Sequence, residues 1–168
     1  MALVDDAQSG RRAANRATIL QLRVPGLSAR DLERAARDLV NGVRVPVVIS
    51  SRCDIALACG AAGVNLPERD IPTHDARAMM RRGLVGRSVH SAEAAVRAQV
   101  EGADYVIFGP VWESASHLGL APTGVEALAR VAAAVRIPVL AIGGVTEARI
   151  ADCIAAGAAG YAAIRLFQ

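Results

Sequence analysis

The sequence predicts an α/β fold, a small (β/α)8 barrel of parallel strands each followed by a helix. Three observations carry that expectation. Short runs of strand character alternate with longer amphipathic segments along almost all of the 168 residues, the pattern of repeated βαβ units. Several of the strand runs are apolar on successive residues, as parallel strands covered on both faces must be. The chain also resembles itself at a distance of four such units. Val45-Pro46-Val47-Val48-Ile49 is similar to Ile137-Pro138-Val139-Leu140-Ala141, and Cys59-Gly60-Ala61-Ala62-Gly63-Val64 is similar to Ala156-Gly157-Ala158-Ala159-Gly160-Tyr161. Four units are half of an eight-stranded barrel. The general likeness of all βα units is the plainer source of this similarity, and it would also permit an open doubly wound sheet.

Taken in order, the first strand is the 2–4 fragment and the first helix is squeezed into roughly residues 11–16. The second strand spans 19–23. Ser28 is placed to cap the next helix, because its hydroxyl can accept a free N–H of the first turn, and Leu32, Ala35, Ala36, Leu39 and Val40 then follow helical spacing. Strands follow at 45–50, 63–66, 84–88 and 105–108, with His74 at a helix start on the surface and Ser91 capping the helix after 84–88. The seventh strand, 139–142, leads through Gly143-Gly144 to Thr146, a further expected cap ahead of Ile150, Cys153 and Ile154. The eighth, 160–164, has no helix after Arg165. A TIM barrel typically has ~250 residues, so this one is minimal, shortened in its first βα unit and its last helix. Apolar surface left uncovered near both ends makes a homodimer the expected assembly.

Slightly over half of the residues are hydrophobic, mostly Ala, Val, Leu and Ile, and a single domain over 1–168 can bury its core without disulfide or metal staples. No run approaches the roughly 18 apolar residues of a membrane helix, and residues 1–10 lack the apolar segment of a secretory signal. The net charge is +3, with scattered arginines and no interleaved aromatics, which argues against a nucleic-acid partner. Cys53, Cys59 and Cys153 are odd in number and lack Cys-x-x-Cys spacing. They read as reduced core thiols of a cytoplasmic protein.

In barrels of this kind the active site is built at the C-terminal ends of the strands. Those ends carry Gln21 and Arg23 after strand two, Ser50 and Ser51 after strand three, and Asp70 in the turn beyond strand four. Ser88 and His90 end strand five, Ser114, Ser116 and His117 follow strand six, Gly143 and Gly144 end strand seven, and Ile164 and Arg165 end strand eight. A Gly pair before a helix lets backbone N–H groups approach an anion closely, which places a phosphate between Gly143-Gly144 and the backbone around Ile164-Arg165. His90 is the candidate acid–base residue, since an imidazole takes up and releases protons near neutral pH. The plainer readings are a steric strand ending for the Gly pair, a helix-start histidine for His90 and a solvated loop residue for His117.

Five ordered segments carry a family resemblance: Gln21-Leu22-Arg23, Arg52-Cys53-Asp54-Ile55-Ala56-Leu57-Ala58, Gly86-Arg87-Ser88-Val89-His90-Ser91, Phe108-Gly109-Pro110-Val111 and Ala141-Ile142-Gly143-Gly144-Val145. In order and strand phase they resemble the thiamine phosphate synthase and thiazole tautomerase superfamily. The resemblance implies one of two reactions. The synthase joins a pyrimidine pyrophosphate to a thiazole phosphate with Mg²⁺. Its pattern has lysine where this chain has Pro25, Asn-Asp where it has Ser50-Ser51, and a lysine with threonines where it has His117 with Ser114 and Ser116. Of its two metal carboxylates Asp70 alone remains, poor equipment for an octahedral Mg²⁺. The tautomerase aromatises a carboxy-dihydrothiazole phosphate by moving a proton, and Gly86–Ser91 with Ser114–His117 look like that branch. A tautomerase-like isomerase is therefore the expected function. His90 would carry the proton, and Gln21, Arg23, Ser88, Ser114, Ser116, His117, Gly143, Gly144, Ile164 and Arg165 would hold a small phosphorylated thiazole, with no cofactor. The Mg²⁺-dependent synthase, which would use Asp70, and a non-catalytic thiazole-phosphate-binding paralogue are the alternatives. Arg165 departs from the serine often found at its position.

Overall fold

The computed structural model describes residues 1–114 and 121–168. Eight parallel strands lie side by side in chain order: β1 Ala2–Val4, β2 Leu20–Leu22, β3 Val47–Ser50, β4 Gly63–Leu66, β5 Leu84–Val89, β6 Tyr105–Phe108, β7 Val139–Ile142 and β8 Gly160–Ala162. A parallel bridge between Ala2 and Ala163 returns the last strand to the first, with the Leu3 N–H donating to the Ala163 carbonyl at 3.0 Å. The result is a nearly closed barrel, as expected, and not an open doubly wound sheet. Among the described residues seven α-helices follow the strands: α1 Ala7–Ala13, α2 Ala29–Gly42, α3 Cys53–Cys59, α4 Thr73–Met80, α5 Ala92–Val100, α6 Gly124–Ala134 and α7 Ile150–Ala155.

Side chains alternate between the two faces of a strand, so the register decides what fills the interior. Leu3, Gln21 and Val48 are cross-strand partners, as are Ser50, Asn65, Gly86 and Tyr105 in turn, and Ser88 with Ile107. The lower interior is apolar, with Val48, Tyr105, Ile107 and Ala162 packed together. Above them Gln21, Ser50, Asn65 and Ser88 face the C-terminal mouth. The outward faces form two separate cores. One packs Leu22, Ile49 and Leu66 against Leu39 of α2, Ile55 of α3 and Met80 of α4. The other packs Phe108 and Ala141 against Ala98 of α5, Leu128 of α6 and Cys153 of α7. All three cysteines are buried and free, and burial pushes each thiol above its ordinary range, so they are packing residues.

Two helix expectations change. The first helix starts at Ala7 rather than near 11, because the Asp6 carboxylate accepts the Ser9 N–H at 2.6 Å while the Asp6 N–H donates to the Ser9 hydroxyl at 3.3 Å. That reciprocal cap uses Asp and Ser in place of the usual Ser/Thr and Glu/Gln. Thr146 makes no side-chain cap, and a 3-10 turn over Glu147–Arg149 precedes α7. After β8 the chain makes a 3-10 turn over Arg165–Phe167, whose buried Phe167 stacks on Tyr161 at 6.0 Å between ring centroids. The three most exposed large apolar side chains, Leu57, Val100 and Ile154, lie on α3, α5 and α7, and the others, Leu27, Ile71, Met79 and Val96, are spread over loops, α4 and α5. Among the described residues no helix is long and apolar enough to cross a membrane.

Gly86 shows how little slack the interior has. A Cβ added there would fall within the Tyr105 ring, which is itself buried. Gly86→Ala is expected to lower the unfolding free energy by about 1–3 kcal/mol through overpacking, read from the midpoint of chemical denaturation. An unchanged midpoint would mean that the Tyr105 ring shifts freely.

Candidate functional site

The C-terminal ends of the strands surround a cavity of about 510 Å³. Gln21 and Arg23 reach it from β2, Ser50 from β3, Asn65 and Glu68 from the end of β4, and Ser88 and His90 from β5. Ser114, Gly143, Gly144, Ile164 and Arg165 complete the set of expected residues around it, joined by Glu113 and Arg149. Asp70 does not line the cavity. It stays in the turn beyond β4, where its carboxylate accepts the N–H of Ile71 at 2.8 Å. Ser116 and His117 lie outside the described residues.

The floor of the cavity is built from amides. Gln21 and Asn65 are 3% and 2% exposed, and the Asn65 side-chain amide donates to the Ser88 hydroxyl at 3.1 Å. Their carbonyl oxygens, Gln21 Oε1 and Asn65 Oδ1, have no hydrogen-bond partner among the described residues. A buried acceptor left unpaired costs about 1–3 kcal/mol, so a bound molecule presenting N–H groups would recover that cost.

One wall is held by an arginine that the motif concealed. Arg87 sits between Gly86 and Ser88, which face inward, so it points out of the barrel and is 9% exposed. It donates to the carbonyls of Ile71 at 2.5 Å, Glu68 at 2.7 Å and Asp70 at 3.3 Å. Burial lowers its pKa from the ordinary arginine value, opposed by the nearby carboxylates of Asp70, Glu101 and Glu68. The loop after β4 is thereby fastened to β5, and the Glu68 carboxylate meets His90 Nδ1 at 2.5 Å.

A second wall is the turn after β7. Gly143 and Gly144 have φ of +91° and +66°, a region open to glycine and costly for other residues. The N–H groups of Gly144 and Val145 donate to no acceptor among the described residues. Arg149 donates to the Gly144 carbonyl at 2.8 Å, and its guanidinium lies 5.0 Å from the centre of the Trp112 ring, a cation–π contact. It ties the turn after β7 to the loop after β6. Because a 3-10 turn follows Thr146, an anion here would depend on N–H groups and on Arg149 and Arg165 rather than on a helix dipole.

Asn65, Glu68, Arg87 and Arg149 are the residues that sequence reasoning missed. Asn65 had a signal, since a polar side chain within the apolar run Gly63-Val64-Asn65-Leu66 must be aimed at something, like Gln21 between Leu20 and Leu22. The other three had none, because their roles depend on which loop lies beside which strand.

A family model described as thiamine monophosphate synthase matches residues 5–167. The chain is 44% identical over 157 residues to the thiamine-phosphate synthase of Methanoculleus marisnigri, an alignment covering 90% of this chain and 74% of that protein. It is 40% identical over 153 residues to the thiamine-phosphate synthase of Chlorobium luteolum, covering 88% and 72%. A solved structure titled thiamine phosphate pyrophosphorylase from Pyrococcus furiosus superposes with a TM-score of 0.88 at 29% identity, covering 97% of this chain and 84% of that one. These relatives overturn the expectation of a tautomerase-like isomerase and support the synthase alternative. The isomerase reading rested on synthase residues missing at Pro25, Ser50, Ser51 and His117 and on the likeness of Gly86–Ser91 and Ser114–His117 to the tautomerase branch. It counted Gln21, Arg23, Gly143, Gly144 and Arg165 but not Asn65, Glu68 and Arg149, which line the same cavity.

Proposed function

Because the chain belongs to the thiamine monophosphate synthase family, we propose that it is a transferase of that type, joining a pyrimidine pyrophosphate to a thiazole phosphate in the barrel mouth. The observation that carries this reading is the 44% identity to a thiamine-phosphate synthase across 90% of the chain. The geometry supports it, because the cavity has two unlike walls. The unpaired oxygens of Gln21 and Asn65 suit a nitrogen heterocycle with N–H donors. The turn at Gly143-Gly144, flanked by Arg149 and Arg165, suits a phosphate.

The reaction releases pyrophosphate, so negative charge grows on the departing oxygens. Donors fixed in advance where such charge develops are the largest single source of rate in many enzymes. Arg23 and Arg149 supply positive charge at the mouth, and His90 is assigned the proton or hydrogen bond that the leaving group receives. The described residues form no all-protein cage for Mg²⁺, which in any case relies mainly on phosphate oxygens. Ser50 ends β3 and Ser51 follows it, Asp70 is turned into its own loop, Glu68 is paired with His90, and no three potential metal-ligating side chains come together among the described residues. The roles assigned here therefore belong to the chain's own N–H groups and cations.

The test is incubation with pyrimidine pyrophosphate, thiazole phosphate and Mg²⁺, following thiamine phosphate and released pyrophosphate together. Equal amounts of both products support the transferase. Tight binding of thiazole phosphate without turnover would replace it with a non-catalytic binder, and neither binding nor turnover would overturn the reading altogether.

A further inference from the structure

We propose that Glu68 is a positioning residue. It holds the His90 imidazole with Nδ1–H on its carboxylate and Nε2 left for the cavity, and Arg87 fixes Glu68 in turn. The contact is 2.5 Å from His90 Nδ1 to Glu68 Oε2. An ionised carboxylate can only accept a hydrogen bond. Nδ1 therefore carries a hydrogen whether the ring is neutral or charged, and Nε2 is the nitrogen whose proton comes and goes.

The pair on its own would be weak. The two side chains are 44% and 30% exposed, and ion pairs at that exposure are worth little, partly because ordering two mobile side chains cancels the attraction. The difference here is the anchor. Arg87 spends its guanidinium on the carbonyls of Glu68, Asp70 and Ile71, so the backbone that carries Glu68 is already held against β5. His90 follows the end of that strand, one residue beyond Val89. The ring is thus presented from the end of β5, and the carboxylate from a loop that three hydrogen bonds tie to the same strand. A base or acid oriented by a third group is the arrangement that keeps one ring nitrogen aimed at a substrate.

The effect on turnover rests on the transferase reading above, whereas the tautomer does not. The experiment is nitrogen NMR of the full chain labelled in its histidine rings, with the His90 signals assigned by their loss in His90→Asn. Wild type is expected to show neutral His90 protonated at Nδ1 and bare at Nε2. Glu68→Ala is expected to let the ring return to the Nε2–H form favoured by a free imidazole. Glu68→Gln keeps the shape and an acceptor oxygen, and is expected to restore most of the Nδ1–H form. In the transferase assay described above Glu68→Ala should lower kcat by roughly 10-fold or more with KM nearly unchanged, and Glu68→Gln should recover part of the loss. A wild-type His90 protonated at Nε2 would overturn the proposal. So would Glu68→Ala turning over at the wild-type rate while His90→Asn is slow. If wild type makes no thiamine phosphate, the transferase reading fails, and the nitrogen spectra still decide whether Glu68 sets the tautomer.

Discussion

Gly144→Val is expected to remove phosphate binding while leaving the barrel folded. At φ +66° any side chain is strained, at a cost of roughly 1–2 kcal/mol for an L-residue, and a β-branched one fits worst. The added Cβ would also lie 2.6 Å from the Glu113 carbonyl oxygen and 2.6 Å from the Trp112 Cβ. Both atoms belong to the neighbouring loop, so the two loops must part. Parting them withdraws Arg149 from the Gly144 carbonyl and from the Trp112 ring, and turns the free N–H groups of Gly144 and Val145 away from the cavity. Each lost hydrogen bond adds about 0.5–1.5 kcal/mol. Since about 1.4 kcal/mol is a factor of ten, affinity should fall by roughly 10²-fold. Calorimetric titration with thiazole phosphate reads the loss, and thermal unfolding of the same sample shows that the barrel persists. Undiminished affinity would place the anion elsewhere in the mouth.

The second large effect is expected from His90→Asn. Asparagine keeps a donor and much of the shape but cannot exchange a proton near neutral pH, so it removes the proton transfer and spares most of the binding. Turnover should fall by roughly 10²-fold or more, with KM little changed, which is the signature of an interaction made in the transition state. Steady-state kinetics with both substrates decide it. His117→Asn should have the smaller effect, because that residue is assigned only to substrate contact. The reverse order, with His117→Asn inactive and His90→Asn normal, would move the acid to the loop after β6.

The barrel was legible because burial on both faces writes each parallel strand as an apolar run. The strands at 63–66, 105–108 and 139–142 match the structure residue for residue. Helix starts were legible where Ser supplies the cap, at Ser28 and Ser91, and illegible at Asp6, where the two partners have unusual identities. The mouth was legible one strand end at a time. Its pairings were not, since nothing in local sequence says that Arg87 reaches the backbone of Glu68 or that Arg149 lies over Trp112. The choice of reaction failed for a related reason. Pro25, Ser50 and Ser51 show which groups a family pattern has lost, but a lost ligand does not reveal what else lines the same cavity, and Asn65, Glu68 and Arg149 were invisible to that reasoning.

The two outer cores divide the barrel into halves that share no apolar core on the outside and touch there through polar contacts, with Thr73 N–H donating to Glu101 at 3.1 Å and Arg77 to the Gly102 carbonyl at 3.0 Å. One half brings Gln21, Ser50, Asn65 and Glu68 to the cavity, and the other brings Ser88, His90, Gly144 and Arg149. The cavity is therefore a seam, already stitched by Asn65 to Ser88 and by Glu68 to His90. A molecule that spans both walls adds further stitches at the same line. Its binding free energy resists separation of the halves as directly as it favours the complex, by about 2.7 kcal/mol at a hundred times the dissociation constant. In a barrel with so few residues per unit, a molecule bound across this line is a structural member of the fold for as long as it stays.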